Sequence, residues 1–209
     1  MQRRTLVLAT GNAHKVEELT DWIARASLPV EAASAEPFGG MPPVEETGTT
    51  FEANARLKAE GLRDALLERG QPLPFLILAD DSGLEVEALG GAPGVYSARF
   101  AGPDADDARN NAKLLAALTE VAAPERGARF VCQLFGLQAD GNTLSLRGVV
   151  EGRVADAPRG SAGFGYDPLF IPEGYEQSFG ELGAEVKRTL SHRARALEAF
   201  AMKLPTLLE

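Results

Sequence analysis

The first polar segment that could do chemistry is ATGNAHKVEEL, at residues 9–19, between an apolar run and a stretch with helical spacing. A loop that leads from a strand into a helix presents free backbone N–H groups and the positive end of the helix dipole. Gly11 lets an anion approach closely, and Lys15 adds a positive charge. Thr10 and Asn12 add hydrogen bonds. The segment indicates either a phosphate-binding loop or an ordinary turn in which Asn12 caps the helix.

Acidic residues form two further segments. Asp80 and Asp81 follow the apolar run 75–79, where a strand is predicted to end, and Glu46 lies in a loop rich in Pro, Gly and Glu. Adjacent carboxylates there are costly unless they are solvated, hydrogen-bonded or close to a cation. Mg²⁺ commonly takes one or two protein carboxylates together with water and phosphate oxygens. Because neighbouring side chains of a strand point to opposite sides, we expect one aspartate to face a site. The alternative is that both segments are solvated acidic turns.

Two segments near the end of the chain could hold a base and a second anionic group. In GFGYDP, at residues 163–168, glycines flank an aromatic ring that could lie flat against a base. Such stacking contributes about 1–3 kcal/mol per base in single-strand binders. Lys187 and the run SHR at 191–193 place cations at the start of a predicted helix. The alternatives are a bend whose aromatics enter the core and a capped helix with solvated basic residues. Taken together, possible phosphate contacts near both ends of the chain, carboxylates for a cation and an aromatic ring for a base match a nucleoside triphosphate with magnesium.

Apolar periodicity predicts the elements that must position these segments. Thr49 followed by Glu52 resembles a capping box, Asp104 could cap a third helix, and Asp140 with Gly141 indicates a hairpin. Helices that alternate with strands early, followed by a late hairpin, predict an α/β class with a mixed sheet. The predicted strands cover residues 5–9, 75–79, 128–138 and 143–155, and the predicted helices cover about 14–26, 49–69, 104–121 and 190–204.

Composition and charge restrict the classes of function. The 209 residues hold 21 basic and 30 acidic side chains, a net charge of −9, which argues against binding of a nucleic acid polymer. No run approaches the ~20 apolar residues of a membrane span, and the apolar run after residues 1–4 is too short for a signal peptide. Cys132 is the only cysteine, and its apolar neighbours predict a buried strand thiol rather than a nucleophile. A chain without a disulfide fits the cytoplasm, and its few Cys and His residues argue against zinc.

Seven motifs occur together in an order that is specific to one protein family. They are TGNxxK at 10–15, ETG at 46–48, FxxNAxxKA at 51–59, ADDSGL at 79–84, GGAPGVYSAR at 90–99, GFGYDP at 163–168 and SHR at 191–193. With them the chain closely resembles the Ham1-like, inosine triphosphate pyrophosphatase family, also called dITP/XTP pyrophosphatases, over nearly its whole length.

The resemblance implies one pyrophosphatase domain over residues 1–209, with an elongated α/β fold, a long mixed sheet and two lobes with an active-site cleft between them. It implies a homodimer that hydrolyses ITP, dITP and XTP to the monophosphate and pyrophosphate with Mg²⁺. Asp81 matches the proton acceptor and a metal ligand, and Glu46 matches a second carboxylate on the metal side. The positions that match substrate contacts are Thr10, Gly11, Asn12, Ala13, His14, Lys15, Lys58, Ser82, Phe164, Gly165, Tyr166, Asp167, Lys187, His192 and Arg193.

Other functions remain alternatives at this point. One is a non-catalytic nucleotide-binding regulator, which turnover of ITP would exclude. Another is a phosphotransferase or phosphomonoesterase with an aspartate nucleophile, which would release orthophosphate or leave a trapped aspartyl-phosphate. A related pyrophosphatase that selects modified pyrimidines or other damaged nucleotides is a third. Two roles for Asp81 also stay open, since it could take the proton directly or act chiefly as a metal ligand.

Overall fold

The computed structural model describes residues 4–208. Residues 1–3, part of the stretch used above to argue against a signal peptide, and residue 209, the end of the predicted domain, lie outside the described residues. The strands are β1 (Arg4–Leu8), β2 (Val30–Ser34), β3 (Leu76–Val86), β4 (Gly127–Gln138), β5 (Thr143–Val154) and β6 (Phe170–Pro172), and the helices are α1 (Ala13–Arg25), α2 (Phe51–Glu68), α3 (Asp107–Ala117), α4 (Phe179–Leu190) and α5 (His192–Leu208). Within residues 4–208, no helix is both long and apolar enough to cross a membrane.

The six strands form one mixed sheet in the order β2-β1-β3-β4-β5-β6. Strand β1 pairs in parallel with both β2 and β3, whereas β5 and β6 are antiparallel. Strands β4 and β5 are neighbours joined by residues 139–142, a connection that is long enough only for an antiparallel pair. The predicted α/β class with a mixed sheet and a late hairpin is therefore confirmed.

The described chain divides into two compact units. The first comprises residues 4–81, 132–148 and 196–208, and the second comprises Ser82–Val131 and Val149–Arg195. In the first unit, alternate side chains of β1 and β3 supply two cores on opposite faces of the sheet. One face packs against α1 and α5, through Leu6, Leu8, Leu76, Leu78, Leu19, Ile23, Leu197 and Phe200. The other face packs against α2, through Val7, Ala9, Ile77, Ala79, Ala55, Ala59 and Leu62.

The second unit has a core of its own. Phe130 on β4 lies with its ring centroid 4.6 Å from that of Phe170 and 6.2 Å from that of Phe179, which begins α4. Aliphatic side chains from β3, β5, α3 and the residue that caps the end of α3 complete this core, including Leu84, Val86, Val150, Val154, Leu114 and Leu118.

The end of β3 that was predicted from the sequence is wrong. The apolar run 75–79 predicted that the strand stops at Asp80, but β3 continues through the acidic pair to Val86. Asp80 and Asp81 are both buried, at 1% and 5% exposure. A strand can carry two carboxylates into the interior only if each has a cationic or hydrogen-bonding partner, and both aspartates have one. The loss of hydrophobicity therefore marked the beginning of a site and not the end of the strand.

Two helix caps were also misplaced by one or two residues. Helix α2 is capped by Thr50 rather than Thr49, because the Thr50 side chain accepts the hydrogen bond of the Ala53 N–H. Helix α3 is capped by Asp106 rather than Asp104, because Asp106 accepts the N–H of Arg109 at 2.8 Å. Both caps satisfy a backbone donor of the first turn, which a residue further upstream does not reach.

Three elements were missed, namely β2, β6 and α4. Helix α4 carries a complete capping box between Ser178 and Glu181, a signal that is present in the sequence. Gly183 interrupts this helix with a φ of +74°, which weakens its periodicity. Strand β2, with the sequence VEAAS, has a single large apolar residue, and β6 spans only three residues, so neither shows a recognisable strand pattern.

Candidate active site

The opening motif lies in the first unit, where β1 leads into α1. The Asn12 side chain caps α1 by accepting the N–H of Lys15 at 3.1 Å, and the Thr10 hydroxyl accepts the N–H of Asn12 at 3.2 Å. Gly11 has no heavy atom within 4 Å of the place where a Cβ would stand. Gly11, Asn12, Ala13 and His14 are exposed. The segment is thus a capped turn whose backbone faces solvent at the positive end of a helix.

Lys15 does not extend into solvent from this turn. Its Nζ lies 2.5 Å from Oδ1 of Asp80, and the exposed fractions of the two side chains are 13% and 0%. The other carboxylate oxygen of Asp80 accepts a hydrogen bond from the Sγ of Cys132 at 3.1 Å. Cys132 is fully buried in β4, which confirms the prediction of a buried strand thiol.

A second ion-pair cluster lies on the other face of β3. Lys58, on α2, places its Nζ 2.6 Å from Oδ1 of Asp81 and 3.2 Å from Oε2 of Glu46. The same Nζ lies 3.4 Å from the backbone oxygen of Asp80. Alternation along the strand therefore separates the two aspartates, one paired with a lysine of α1 and the other with a lysine of α2.

Burial and charge act in opposite directions on the Asp81–Lys58 pair. Burial raises the pKa of the Asp81 carboxyl, and the Lys58 ammonium offsets only part of that rise. Burial by itself would lower the pKa of Lys58, but the adjacent Asp81 carboxylate outweighs it, so the pKa of Lys58 is raised. The lysine is charged at neutral pH, and the carboxylate is more basic than an exposed aspartate. That is a property expected of a residue that orients or deprotonates water.

One atom of this cluster lacks a protein partner. Oδ2 of Asp81 is buried, and no hydrogen bond reaches it from the described residues. A buried carboxylate oxygen without a donor fits a cation or an ordered water. No group of three or more His, Cys, Asp or Glu side chains in residues 4–208 is placed to hold a metal ion. Glu46 and Asp81 therefore fit Mg²⁺ only as a pair, with its other ligands supplied by water and phosphate.

The loop that carries Glu46 is fixed from α2. Asn54 is fully buried, and its Oδ1 accepts the N–H of Gly48 at 2.8 Å. A Cβ at Gly48 would come within 2.6 Å of this oxygen. Asn54 and Lys58 are four residues apart and so lie on one side of the helix. Asn54 is a functional residue that the sequence pattern did not single out, although the motif FxxNAxxK contains it at this spacing.

In the second unit, the loop 163–168 is closed by its own acid. Oδ2 of Asp167 accepts the N–H of Phe164 at 2.9 Å and pairs with Nζ of Lys187 at 2.7 Å. That ammonium also lies 4.3 Å from the centroid of the Phe164 ring. Asp167 is buried and Phe164 is half-buried, so the acid organises a loop from which the ring remains accessible.

Helix α3 holds the same loop through both backbone groups of Gly165. The carboxylate of Asp107 accepts the N–H of Gly165 at 2.7 Å, and Nδ2 of Asn111 donates to the Gly165 oxygen at 3.0 Å. No local signal could have identified these two residues, because their partner is more than fifty positions away. The Tyr166 ring belongs to the core, and its hydroxyl donates to the backbone oxygen of Ser97 at 2.8 Å. Burial raises the pKa of Tyr166, with Asp107 adding to the rise.

The SHR motif begins α5, and its basic side chains are buried rather than solvated. Arg193 is 2% exposed, and its Nη2 donates to Oγ of Ser82 at 3.1 Å. The His192 ring stacks on Phe130, with centroids 4.8 Å apart and planes 14° apart. The alternative of a capped helix with solvated basic residues is therefore right about the cap, since the Ser191 hydroxyl accepts the N–H of Ala194 at 3.1 Å. It is wrong about solvation, because His192 and Arg193 are buried.

Comparison with known proteins indicates the same family as the seven motifs, over nearly the whole chain. Residues 6–203 match the sequence model of the Ham1 family. The chain belongs to the Ham1 family. It is 49% identical over 200 residues to a dITP/XTP pyrophosphatase of Opitutus terrae, covering 94% of this chain and 96% of that one. It is 47% identical to a protein of the same name from Rhodopirellula baltica, covering 98% and 94% of the two chains.

Solved structures of Ham1 proteins share this fold. A HAM1 protein from Coxiella burnetii aligns with a TM-score of 0.84 at 36% identity, covering 97% of this chain and 99% of that one. The Ham1 protein of Staphylococcus aureus aligns with a TM-score of 0.82, also at 36% identity and with the same coverage. The resemblance expected from the seven motifs is thus confirmed, and this Ham1 chain brings the predicted residues into local groups. In the first unit, Lys15 lies beside Asp80, and Lys58 joins Asp81 to Glu46.

Proposed function

We propose that this protein hydrolyses ITP, dITP and XTP to the nucleoside monophosphate and pyrophosphate, and so removes deaminated purines from the nucleotide pool. Membership of the Ham1 family and the names of the two relatives support this reaction. The structural observation that carries the proposal is the cluster of Asp81, Lys58 and Glu46, in which one buried oxygen of Asp81 has no donor among the described residues.

In the proposed reaction, Asp81 orients a water molecule toward the α phosphorus and accepts its proton. Its raised pKa suits this role, because a base must hold the proton that it removes. Lys58 keeps the carboxylate in place and balances its charge. Asp81 and Glu46 would hold Mg²⁺, which when bound polarises phosphate oxygens and neutralises charge on the leaving pyrophosphate.

The phosphate chain is assigned to the opening motif. Residues 11–14 are exposed at the start of α1, where the helix dipole favours an anion. Lys15 adds a fixed positive charge next to these residues. Such preorganised donors stabilise a leaving pyrophosphate without having to reorganise during the reaction.

The purine base is assigned to residues of the second unit. Phe164 offers a ring held by the closed loop, and His192 and Arg193 are buried donors at the start of α5. Ser82, Gly165, Tyr166, Asp167 and Lys187 belong to the same proposed set of substrate contacts. Tyr166 and Asp167 support it from inside the protein, since their side chains bond to Ser97, Phe164 and Lys187.

A substrate panel tests the proposal. ITP, dITP, XTP, ATP, GTP and modified pyrimidine triphosphates are incubated with the protein and Mg²⁺, and pyrophosphate and orthophosphate are measured separately. We expect pyrophosphate from the three deaminated purine nucleotides and background release from the others. Orthophosphate as the sole product would indicate a phosphatase, preference for a pyrimidine would indicate a related pyrophosphatase, and binding without turnover would indicate a regulator. Omission of Mg²⁺ is expected to abolish the signal.

Replacing Lys15 with Ala is expected to weaken the binding of triphosphates far more than the binding of the monophosphate product. A charged contact of this kind contributes about 1.5–3 kcal/mol, which corresponds to roughly a ten- to hundredfold loss of kcat/KM for ITP. The measurement compares ITP kinetics with IMP inhibition constants. Lys113→Ala is a matched control, since the Lys113 Nζ donates to a backbone oxygen of Phe100 in the second unit. Equal losses for ITP and IMP would place Lys15 away from the phosphate chain.

Two glycines of the loop 163–168 give a matched pair of variants. Gly163 and Gly165 both have positive φ, at +81° and +64°, so alanine at either is expected to cost about 1–2 kcal/mol of folding free energy. A Cβ at Gly163 would overlap the carboxylate of Asp167, whereas a Cβ at Gly165 meets nothing within 4 Å. Gly163→Ala should therefore lower the melting temperature, and raise KM for ITP, by more than Gly165→Ala does. Equal effects of the two substitutions would show that the Asp167 bond does not hold the loop.

Assembly and location complete the proposal. We place the protein in the cytoplasm as a homodimer, as the resemblance to the family implies. Light scattering coupled to size exclusion measures the oligomeric state, and a mass of one chain would contradict the dimer.

A further inference from the structure

The buried ion pair on the α1 side of β3 is not explained by the chemistry assigned to Asp81. The Asp80 side chain has no exposed surface, and Lys15 remains 13% exposed. Both oxygens of the carboxylate are engaged, Oδ1 by Lys15 at 2.5 Å and Oδ2 by Cys132 at 3.1 Å. The three side chains come from α1, β3 and β4, so their meeting is a product of the tertiary structure.

We propose that Asp80 is a positioning residue that fixes the Lys15 ammonium for the phosphate chain, and that the Cys132 thiol in turn fixes Asp80. The inference rests on the proposed function for the identity of the substrate. It also separates the two adjacent acids, with Asp81 serving the cation and the water while Asp80 serves only the lysine.

A lysine needs such a restraint to act as a preorganised donor. Its ammonium stands on a flexible four-carbon stem, and ordering that stem on binding would cost affinity. Pairing with the buried Asp80 carboxylate leaves the Lys15 ammonium with one preferred position. An ammonium has three donors, so the bond to Asp80 leaves capacity for a phosphate oxygen.

The thiol completes the restraint. A hydrogen bond to an ionised acceptor is stronger than one between neutral groups, so Cys132 holds the carboxylate plane against rotation. It also occupies the oxygen that a metal ion would need. Asp80 is therefore expected to leave the Mg²⁺ requirement unchanged, in contrast to Asp81.

A double-mutant cycle tests whether Asp80 acts through Lys15. Asp80→Asn is expected to lower kcat/KM for ITP by roughly tenfold in the wild-type background and by less than about twofold in the Lys15→Ala background. The Mg²⁺ concentration for half-maximal rate should not move. The control cycle pairs Asp80→Asn with Arg193→Ala, where we expect the two losses to multiply. The inference would be overturned if Asp80→Asn caused an equal loss in the wild-type and Lys15→Ala backgrounds, or if it raised the Mg²⁺ requirement.

A second measurement does not depend on turnover. Calorimetry measures the binding of inorganic tripolyphosphate to the same variants. We again expect Asp80→Asn to weaken binding in the wild-type background and to have little effect in the Lys15→Ala background. Failure of the wild type to hydrolyse ITP would refute the proposed function but leave this readout intact. Absence of tripolyphosphate binding by the wild type, or additive losses, would refute the role of Asp80.

Cys132 offers milder variants if Asp80→Asn does not fold. Cys132→Ser keeps a donor for Asp80, and Cys132→Ala removes it. We expect Cys132→Ala to weaken tripolyphosphate binding several-fold and Cys132→Ser to restore most of it, with no loss from Cys132→Ala in the Lys15→Ala background. Equal effects of serine and alanine would show that the thiol is only packed against Asp80.

Discussion

Replacing Asp81 with Asn is expected to reduce ITP hydrolysis by roughly a thousandfold or more while leaving a folded protein. The change removes the proposed base and the charge of a proposed metal ligand, yet it keeps the shape of the side chain. Lys58 retains Glu46 as a partner at 3.2 Å, so the lysine is not left without a counter-charge. Pyrophosphate release at saturating Mg²⁺ and circular dichroism measure the two parts of the expectation.

A control on the same strand distinguishes chemistry from strand stability. Glu85 lies four residues further along β3 and pairs with Arg129 at 2.6 Å. Glu85→Gln should retain near-wild-type activity, since neither Glu85 nor Arg129 has a role in the proposed reaction. Near-wild-type pyrophosphate release by Asp81→Asn would remove both roles assigned to Asp81.

The second large effect is discrimination among bases. Hypoxanthine and xanthine carry an acceptor oxygen at position 6, where adenine carries an amino donor. A site that points buried donors there leaves them unpaired when ATP binds, at about 1–3 kcal/mol for each unsatisfied group. Sites built on such pairing discriminate by several orders of magnitude. We expect kcat/KM for ITP, dITP and XTP to exceed that for ATP by this margin.

Rejection of GTP requires a second device, because guanine shares the 6-oxo group. Crowding or an unmatched contact at its 2-amino group would supply it. Measuring kcat/KM for all five nucleotides tests both margins. Comparable hydrolysis of ATP and ITP by the wild type would contradict the proposed function.

Arg193 is the donor expected to carry part of this margin. Arg193→Ala should reduce the preference for ITP over ATP, because the buried guanidinium is lost. Since that substitution also empties a fully buried position, Ser82→Ala serves as a milder variant that removes the hydroxyl to which Nη2 of Arg193 donates. An unchanged margin in both variants would contradict the role of Arg193 and leave the proposed function standing.

The sequence by itself determined the class of fold and most of its regular elements. Strands β1, β4 and β5 and helices α1, α2 and α5 were predicted near their observed bounds, because apolar periodicity is a local property of the chain. It also determined the family, since seven motifs in a fixed order are readable without any contact. The capping role of Asn12 followed in the same way, because its hydrogen bond reaches only three residues along the chain.

The tertiary structure decided how the charged residues are used. Local pattern predicted that β3 ends at Asp80, but the strand continues because Lys15 and Lys58 arrive from positions 65 and 23 residues away to pair with the two aspartates. The buried position of Arg193 and the hold of Asp107 on Gly165 likewise depend on segments distant in sequence. Partners of buried charges are supplied by whichever elements pack against them, and a one-dimensional pattern carries no record of that packing. For this reason the motifs could name the acids and lysines, whereas only the folded chain assigned each lysine to its acid.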